Sequence, residues 1–323
     1  MSCFYTKGLT IGYEVNRPLQ QNINISLEKG QIITLMGQNG VGKTTFLKTI
    51  SKLIPSLAGA VYYSGEPLDQ LTSQDLSTKL SIVLTERPAA GNLTVFELVT
   101  SGRHPFTNWL GRLSAEDRNV IDWAISETQI NYIANKKLSQ LSDGQLQKVM
   151  IARALAQQTE MIFLDEPTAH LDLHNKIEIM LLLKQISQQG KGILISTHDL
   201  PISLQLSDKM WLFNFIEPVR EGVPEDLILD GSIEKTLFLE DFHYDFETGS
   251  FEASFETNPR EIHLTGDRSV VYWTQHALKK IGYRLTDRSN VPSIQADLRQ
   301  WTYYNGKESI TFKSIEALIG FLK

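Results

Sequence analysis

The feature that most constrains this chain is a glycine-rich segment that directly follows a short apolar run, Gly37-Gln38-Asn39-Gly40-Val41-Gly42-Lys43-Thr44-Thr45. Its spacing matches the pattern G-x-x-x-x-G-K-[ST], in which glycines let the backbone curl so that successive N–H groups point at phosphate oxygens. A helix that begins near Lys43 would add its positive N-terminal end. Lys43 would reach the β- and γ-phosphates, and Thr44 would offer its hydroxyl to Mg²⁺. The segment therefore predicts a site for a nucleoside triphosphate.

Short apolar runs alternate with longer helix-like stretches between about Gln31 and Thr197. The runs at residues 32–36, 161–164 and 193–196 are nearly continuous and are bounded by polar residues or glycine. Such runs are typical of buried parallel strands rather than of a sheet with one face in water. Strands separated by helices predict an α/β domain that binds ligands at the carboxyl ends of its strands.

Composition narrows the class of protein further. The chain carries 31 lysine and arginine residues against 37 aspartate and glutamate residues, and this acidic balance argues against a nucleic-acid partner. The single cysteine, Cys3, excludes an intrachain disulfide framework and suits a reducing compartment. We find no signal peptide and no run of about 18 apolar residues, so we expect a soluble, cytoplasmic chain.

A second, smaller domain is expected after about Leu239. Apolar residues at helical spacing between Val270 and Ile281 predict a helix, and Gly282 stands where a C-cap belongs. Asn305-Gly306 lies between two strand-like runs and indicates a hairpin. Ser314 is expected to cap a last helix. We therefore divide the chain into residues 1–238 and a small α+β domain, residues 240–323.

Two carboxylates end one of the apolar runs, Met161-Ile162-Phe163-Leu164-Asp165-Glu166. A phosphate-binding loop needs a carboxylate that orients the metal and a group that activates water. Asp165 is expected to hold the Mg²⁺ shell, and Glu166 is expected to polarise the attacking water. Both residues would then act beside Lys43.

The chain contains two further motifs. Leu141-Ser142-Asp143-Gly144-Gln145 precedes a helix-like stretch, and Ser196-Thr197-His198-Asp199 ends the last apolar run. With the glycine-rich segment and Asp165-Glu166, they give roughly residues 3–238 a strong resemblance to the ATP-binding cassette (ABC) ATPases. The resemblance implies an α/β P-loop fold with a parallel core sheet, an antiparallel subdomain and a helical subdomain, followed here by the small α+β domain.

The family packs two copies head to tail, with each ATP between one glycine-rich loop and the partner's signature motif. The resemblance thus implies that Ser142, Gly144 and Gln145 contact the ATP of the other copy in a homodimer. Ser142 also suits the N-cap of a helix whose positive end faces an anion. Asp143 departs from the commonest signature, which has glycine there, and is expected to point away from the nucleotide. Asp172 matches the loop that communicates across the dimer.

The remaining nucleotide contacts also follow from the resemblance. His198 matches the histidine that senses the γ-phosphate and helps to position water, so the implied catalytic residues are Glu166, His198 and Lys43. Tyr13, in Gly12-Tyr13-Glu14, stands where the family stacks an aromatic ring on adenine. Packing beside a strand is the alternative for this tyrosine.

One expected residue is missing. The loop after Leu80-Ser81-Ile82-Val83-Leu84 carries a glutamine in the family, which touches Mg²⁺ and couples ATP to the transport partner. This chain has Thr85-Glu86-Arg87-Pro88 there. Oxygen atoms of either Thr85 or Glu86 could serve a hard cation, and the sequence leaves the choice between them open.

The stretch Leu93–Pro105, with Gly102-Arg103, and the later Gly111-Arg112-Leu113-Ser114 resemble the helical subdomain of importers for ferric siderophores, haem and cobalamin. The resemblance implies an ATPase subunit whose surface cradles a coupling helix of a membrane permease, with a substrate-binding protein as an indirect partner. Such a subunit lies on the cytoplasmic side of the membrane. The alternative is that the aromatic residues here, among them Phe106 and Trp109, are only subdomain core.

Two other functions remain as alternatives. The first is a soluble ABC ATPase without transport, serving metallocluster assembly or nucleic-acid maintenance. The second is a regulatory module with degenerate chemistry, which the presence of Lys43, Asp165, Glu166 and His198 disfavours. The small domain is expected to modulate the ATPase, by analogy alone. Its aromatic residues could line a pocket or pack in a core, namely Trp273, Trp301, Tyr303 and Tyr304.

Overall fold

The structure is a computed structural model. It describes residues 2–85, 92–107, 112–237, 242–245, 250–253, 259–288, 290–306 and 308–323. The chain divides into two compact units, Met1–Phe238 and Leu239–Lys323. Each unit is described by itself below.

The strands of the first unit form two sheets. They are β1 (Ser2–Ile11), β2 (Gln20–Ile23), β3 (Ser26–Glu28), β4 (Ile32–Met36), β5 (Ala58–Tyr63), β6 (Glu66–Pro67), β7 (Leu80–Val83), β8 (Met161–Asp165), β9 (Gly192–Ser196), β10 (Lys209–Leu212) and β11 (Arg220–Gly222). The core sheet has the order β11-β10-β4-β9-β8-β7 and is parallel except for β11. The other sheet is antiparallel, in the order β2-β1-β5-β6 with β3 also on β1.

The three predicted runs are the adjacent strands β4, β9 and β8, and every residue in them is buried. Their alternate side chains enter two different cores, because successive side chains of a strand point to opposite faces. In β8, Ile162 and Leu164 belong to the core shared with the helices, whereas Met161 and Phe163 belong to the core shared with the antiparallel sheet. The predicted parallel α/β sheet is therefore confirmed.

The helices of the first unit are α1 (Lys43–Ile50), α2 (Ser73–Lys79), α3 (Val95–Thr100), α4 (Ala115–Glu127), α5 (Asp143–Ala156), α6 (Leu173–Gln188), α7 (Leu200–Leu206), α8 (Pro224–Leu229) and α9 (Ser232–Leu237). Short 3-10 segments lie at Leu68–Gln70, Ser101–Phe106, Asn131–Ile133 and Leu138–Gln140. Helices α2, α3, α4 and α5 each begin with a capping box, which satisfies N–H groups at the helix start. The buried faces of α3, α4 and α5 share one core. Among the described residues, none of the helices has the length and apolar composition that a membrane crossing needs.

Arg103 joins three parts of this helical region. It is buried, and its Nε donates to Asp117 Oδ1 over 2.8 Å. Its guanidinium also donates to the Ala156 carbonyl over 2.9 Å and to Gln158 Oε1 over 2.8 Å. A Cβ on the preceding Gly102 would lie 2.3 Å from the Arg153 carbonyl oxygen, so only glycine fits against α5. The Gly102-Arg103 pair therefore holds the helical region together rather than forming a partner surface.

The aromatic residues near this pair divide differently from the sequence expectation. Phe106 is 43% exposed, and its ring centroid lies 4.1 Å from the guanidinium carbon of Arg103. It is therefore a surface residue supported by a buried cation, not subdomain core. Trp109 and Leu110 lie outside the described residues.

The second unit has its own sheet and core. Its strands and helices are β12 (Phe242–Asp245), β13 (Ser250–Ala253), β14 (Arg260–Gly266), α10 (Arg268–Lys279), β15 (Tyr283–Leu285), β16 (Ser293–Asp297), β17 (Gln300–Tyr304), β18 (Ser309–Phe312) and α11 (Ile315–Leu322). The main sheet has the order β15-β14-β16-β17-β18, and β12 pairs with β13. The predicted helix, hairpin and Ser314 cap are all present, since Ser314 Oγ accepts the Ala317 N–H.

The aromatic residues of the second unit divide between its core and its surface. Trp301 is buried in the core, where its Nε1 donates to Thr274 Oγ1 over 2.7 Å. Tyr303 packs against the same core. Trp273 and Tyr304 are exposed by 62% and 41%. The structure therefore supports the packing interpretation for Trp301 and Tyr303.

Candidate nucleotide-binding and catalytic site

The glycine-rich segment connects β4 to α1 at the carboxyl end of the core sheet. Gly37 has φ 153°, and a Cβ there would lie 2.4 Å from the Phe213 carbonyl oxygen, so the loop requires glycine at this position. Gly42, with φ 109°, is the N-cap of α1. Among the described residues no side chain caps this helix start, which leaves the first-turn N–H groups of α1 available to an anion. The loop thus has the backbone of a phosphate site.

Lys43 supplies the positive charge of the loop. It is buried, and its Nζ donates to the carbonyl oxygens of Gly37 over 2.7 Å and of Gln38 over 3.1 Å. Burial lowers the pKa of the Lys43 ammonium from its ordinary value, while the nearby Glu166 and Asp165 carboxylates act in the opposite direction. The ammonium therefore lies across the loop, between its carbonyls and the two carboxylates.

The two residues predicted to hold a metal are in direct contact. Thr44 Oγ1 donates to Asp165 Oδ2 over 2.9 Å. The other oxygen of this carboxylate, Asp165 Oδ1, is buried and has no hydrogen-bond partner among the described residues. A hydroxyl and a carboxylate are oxygen ligands of the kind that Mg²⁺ prefers. An unpaired, buried carboxylate oxygen beside them fits such a cation.

Thr85 reaches the same place from β7. Its Oγ1 donates to the Asp165 backbone carbonyl over 3.0 Å. Thr85 therefore lies beside the candidate metal ligand, at the position where the family carries glutamine. Glu86, the other candidate for this role, lies outside the described residues.

Glu166 and His198 meet just beyond the ends of β8 and β9. The Glu166 N–H donates to the Ser196 carbonyl over 2.8 Å, which fixes the glutamate backbone to the end of β9. Glu166 has φ 49°, a left-handed conformation that is uncommon for residues other than glycine. His198 Nδ1 lies 2.9 Å from Glu166 Oε2. The structure thus brings the predicted base and the predicted histidine together.

Tyr13 lies near the start of α1. Thr45 Oγ1 donates to the Tyr13 hydroxyl over 3.4 Å, and the tyrosine is 72% exposed. The ring therefore is not packed in the core, which was the alternative interpretation, and it remains open to a flat partner such as a base.

The signature segment forms the first turn of α5. Ser142 is the N-cap: its Oγ accepts the Gln145 N–H over 3.3 Å, and Gln145 Oε1 accepts the Ser142 N–H over 3.1 Å. A Cβ on Gly144 would lie 2.6 Å from Asn175 Oδ1 of α6. Asp172 caps α6 and accepts from Asn175 Nδ2 over 2.9 Å. The adjoining N-termini of α5 and α6 therefore carry the predicted residues Ser142, Gly144, Gln145 and Asp172.

These hydrogen bonds also affect the charge of Asp172. The Asn175 backbone N–H and then its side chain lower the pKa of the Asp172 carboxyl from its ordinary value. Asp172 is thus held as a carboxylate at the N-terminus of α6, where a negative charge is favourable.

Sequence reasoning missed residues that support the loop from outside its motif. Gln20 is buried, and its Nε2 donates to the Val41 carbonyl over 3.2 Å and to the Asn214 carbonyl over 2.7 Å. Gln38 Nε2 donates to the Leu237 carbonyl over 3.3 Å, at the end of α9. No local pattern marks Gln20, because its partners are distant in sequence and are set by tertiary packing.

The chain is similar to known proteins over most of its length. Residues 20–169 match the family model for ABC transporter, and residues 259–323 match the model for Iron ABC transporter C-terminal domain. The iron(3+)-hydroxamate import ATP-binding protein FhuC of Bacillus subtilis (strain 168) is 40% identical over 261 residues, which are 80% of this chain and 92% of that protein. The achromobactin transport ATP-binding protein CbrD of Dickeya dadantii (strain 3937) is 36% identical over 239 residues, covering 74% and 88%.

One similar solved structure is a dimer. The dimeric structure of a post-hydrolysis state of an ATP-binding cassette, bound to ADP and phosphate, superposes with a TM-score of 0.59 at 28% identity. The match covers 68% of this chain and 98% of that one.

Proposed function

This chain belongs to the ABC transporter family, and from that membership we propose that it is the ATP-hydrolysing subunit of an importer for a ferric siderophore. The observation that carries the ATPase part is the contact between Glu166 Oε2 and His198 Nδ1, beside the Thr44–Asp165 hydrogen bond. The cargo follows from relatives named for the import of iron(3+)-hydroxamate and the transport of achromobactin.

The site residues have different roles in binding and hydrolysing one ATP molecule. Lys43 and the uncapped N–H groups of α1 bind the phosphates, and Tyr13 offers its exposed ring to the base. Thr44 and Asp165 would hold Mg²⁺, which screens the phosphate charge when bound. Glu166 accepts a proton from the water that attacks the γ-phosphate, and the products are ADP and phosphate.

His198 supports this proton transfer by position. Its Nδ1 lies 2.9 Å from Glu166 Oε2, a buried oxygen that makes no hydrogen bond within the described residues, so the imidazole is placed to orient the glutamate side chain. The Glu166 backbone is already fixed to Ser196. The carboxylate can then accept a proton without reorienting, which is the advantage of a preorganised base.

We place the second half of the site on another copy of the chain. Ser142, Gly144, Gln145 and Asp172 share one pair of helix starts, and a head-to-tail homodimer would present them to the phosphates held by the partner. A related cassette with ADP and phosphate bound is a dimer. The N-terminus of α5 suits this role because the positive end of a helix attracts an anion such as phosphate.

The permease would dock on the helical region, at the cytoplasmic side of the membrane. The apolar side chains exposed there, on α3 and on the segments beside it, include Leu93 (41%), Phe96 (37%) and Phe106 (43%). Exposed apolar side chains of this kind are what a docking surface for another protein would use. No further membrane anchor is required by this proposal.

Recovery of partners tests the transport role. We expect tagged chain from detergent-solubilised native membranes to bring down a many-span permease in near-equal amount, identified by mass spectrometry. Replacing Leu93 and Phe96 by serine should remove the permease, whereas Leu229→Ser on α8, where the leucine is 71% exposed, should not. A soluble scaffold or nucleic acid in place of the permease would contradict transport and favour the non-transport ABC ATPases.

Uptake by cells tests the cargo. Deleting the gene should abolish the uptake of radiolabelled iron from a ferric hydroxamate, and the wild-type gene should restore it. A Glu166→Gln gene should not restore it. Loss of haem or cobalamin uptake, with siderophore uptake intact, would assign the importer to a different cargo.

Lys43→Met tests the phosphate site. The substitution keeps an unbranched apolar side chain but removes the ammonium. Hydrogen bonds to charged groups contribute about 1.5–3 kcal/mol, so ATP should bind about 10–150-fold more weakly. Titration with a fluorescent ATP analogue measures this change. Lys136→Met, at an exposed position, is the matched control and should bind normally. Equal affinities of the two variants would contradict the role of Lys43.

A further inference from the structure

A small cavity lies between helix α5 and the catalytic glutamate of the same chain. Its volume is about 60 Å³. The polar part of its lining includes Thr85, Gln147 and Glu166, and the apolar part includes Leu84, Leu146 and Met150. Since an ordered water needs roughly 10–15 Å³ of such space, the cavity has room for about four waters.

Helix α5 presents one face to this cavity. Asp143, Leu146, Gln147 and Met150 all line it, and residues three and four apart lie on one side of a helix. Asp143 is exposed and therefore lies toward the mouth, whereas the Gln147 Nε2 atom is fully buried. Gln147 thus lines the cavity from the helix that carries the signature segment, with its Nε2 atom buried.

Gln147 brings a hydrogen-bond donor that the protein leaves unused. Its Nε2 has no hydrogen-bond partner within the described ranges. A buried N–H donor is costly unless something accepts from it, and water in a polar cavity is the usual acceptor. Glu166 lines the same cavity, and its Oε2, 2.9 Å from His198 Nδ1, is likewise buried without a hydrogen-bond partner among the described residues.

We propose that Gln147 is a positioning residue for Glu166, acting through water held in this cavity. The Gln147 carboxamide donates to a bridging water, and that water donates to the Glu166 carboxylate. His198 and the bridged Gln147 then fix the carboxylate from two directions. The inference rests on the proposed role of Glu166 as the base, and it makes helix α5 part of the hydrolytic site of its own chain.

Two substitutions of Gln147 separate donation from packing. Gln147→Met keeps the side-chain length and loses the donor, whereas Gln147→Asn keeps the donor and loses one methylene. If a bridging water carries the interaction, Gln147→Met should lower kcat about 5–10-fold, as expected for one net hydrogen bond, with the KM for ATP within twofold. Gln147→Asn should stay within threefold of wild type, because a water can adjust to the shorter side chain. A packing role predicts the opposite order.

The measurement is steady-state ATP hydrolysis by the full chain, with thermal unfolding of each variant as a check of folding. Gln188→Met, at an exposed position on α6, is the control and should leave kcat unchanged. Repeating Gln147→Met in a Glu166→Gln background should cause no further loss of kcat, because the carboxylate that Gln147 positions is then absent.

Each result has one meaning. A lower kcat for Gln147→Asn than for Gln147→Met, or wild-type kcat for both, overturns the positioning role. An equal fold-loss of kcat from Gln147→Met in the wild-type and Glu166→Gln backgrounds also overturns the positioning role. A Glu166→Gln protein that hydrolyses ATP at the wild-type rate overturns the proposed base instead, which distinguishes that failure from the failure of this inference.

Discussion

Replacing Glu166 with glutamine is expected to lower kcat for ATP hydrolysis by about 10²–10⁴-fold, the contribution typical of a positioned general base. Glutamine keeps the size of the side chain and its contact with His198, but its amide cannot accept the proton of the attacking water. Lys43, Thr44 and Asp165 are untouched, so ATP should still bind. A long-lived closed dimer with ATP bound is therefore expected.

Two measurements check this expectation. Release of phosphate gives kcat, and size-exclusion chromatography with ATP reports whether the dimer accumulates. Glu116→Gln, at an exposed position on α4, is the matched control and should behave as wild type in both. Hydrolysis by Glu166→Gln at the wild-type rate would show that another group takes the proton.

Replacing Arg103 with alanine is expected to destabilise the first unit by about 3 kcal/mol or more. Removing one partner of a buried ion pair leaves an uncompensated charge, which typically costs about 3–5 kcal/mol. The side chains of Arg103 and Asp117 are only 5% and 8% exposed, so the remaining carboxylate could not simply turn to water. The Ala156 carbonyl and Gln158 would lose their donors as well.

Thermal unfolding followed by circular dichroism measures this effect. For a unit of this size, about 3 kcal/mol corresponds to a fall in Tm of about 6–12 °C. Arg118→Ala, on the exposed side of α4, should change Tm little. The double variant Arg103→Ala, Asp117→Asn has no unpaired charge. Its loss of stability should therefore be smaller than the sum of the losses in the two single variants. Strict additivity would mean that the two groups do not interact.

The same pair gives the unfolding free energy a dependence on pH. Hydrogen bonds from the Ser114 hydroxyl and N–H, with the smaller effect of Arg103, lower the pKa of Asp117 from its ordinary value. A depressed pKa in the folded state stabilises the protein at neutral pH, and this contribution is lost as the pH falls through that pKa. Because Arg103 causes part of this pKa shift, the free energy of unfolding should fall less on acidification in Arg103→Ala than in wild type.

Patterns within the chain predicted the central fold and the phosphate loop. The apolar runs that became β4, β8 and β9 are buried on both faces, and burial on both faces is what a continuous apolar run reports. Strand polarity then places Lys43, Asp165 and Glu166 at one edge, because parallel strands end together. The starts of α5 and α11 were likewise predictable from the capping residues Ser142 and Ser314.

What the sequence could not supply were contacts between distant segments. Gln20 supports the loop through Val41 and Asn214, and nothing in the residues around Gln20 indicates those partners. Arg103 is a second example. It lies in a stretch that resembles the helical subdomain of importers, which suggested a partner surface, whereas its burial against Asp117 is visible only in the folded chain. Hydrophobic periodicity tells which face of an element is buried and not which element covers it.

The hydrogen bond from Gln38 to the Leu237 carbonyl has a practical consequence for truncated forms of this protein. A chain cut after residue 239 would end in a carboxylate two residues from that carbonyl, at most about 7 Å of extended backbone away. A new negative charge so close to a loop built for phosphates would repel them and weaken nucleotide binding by itself. Deletions meant to reveal what residues 240–323 do should therefore end in a neutral, flexible extension, so that an artificial chain end is not mistaken for regulation.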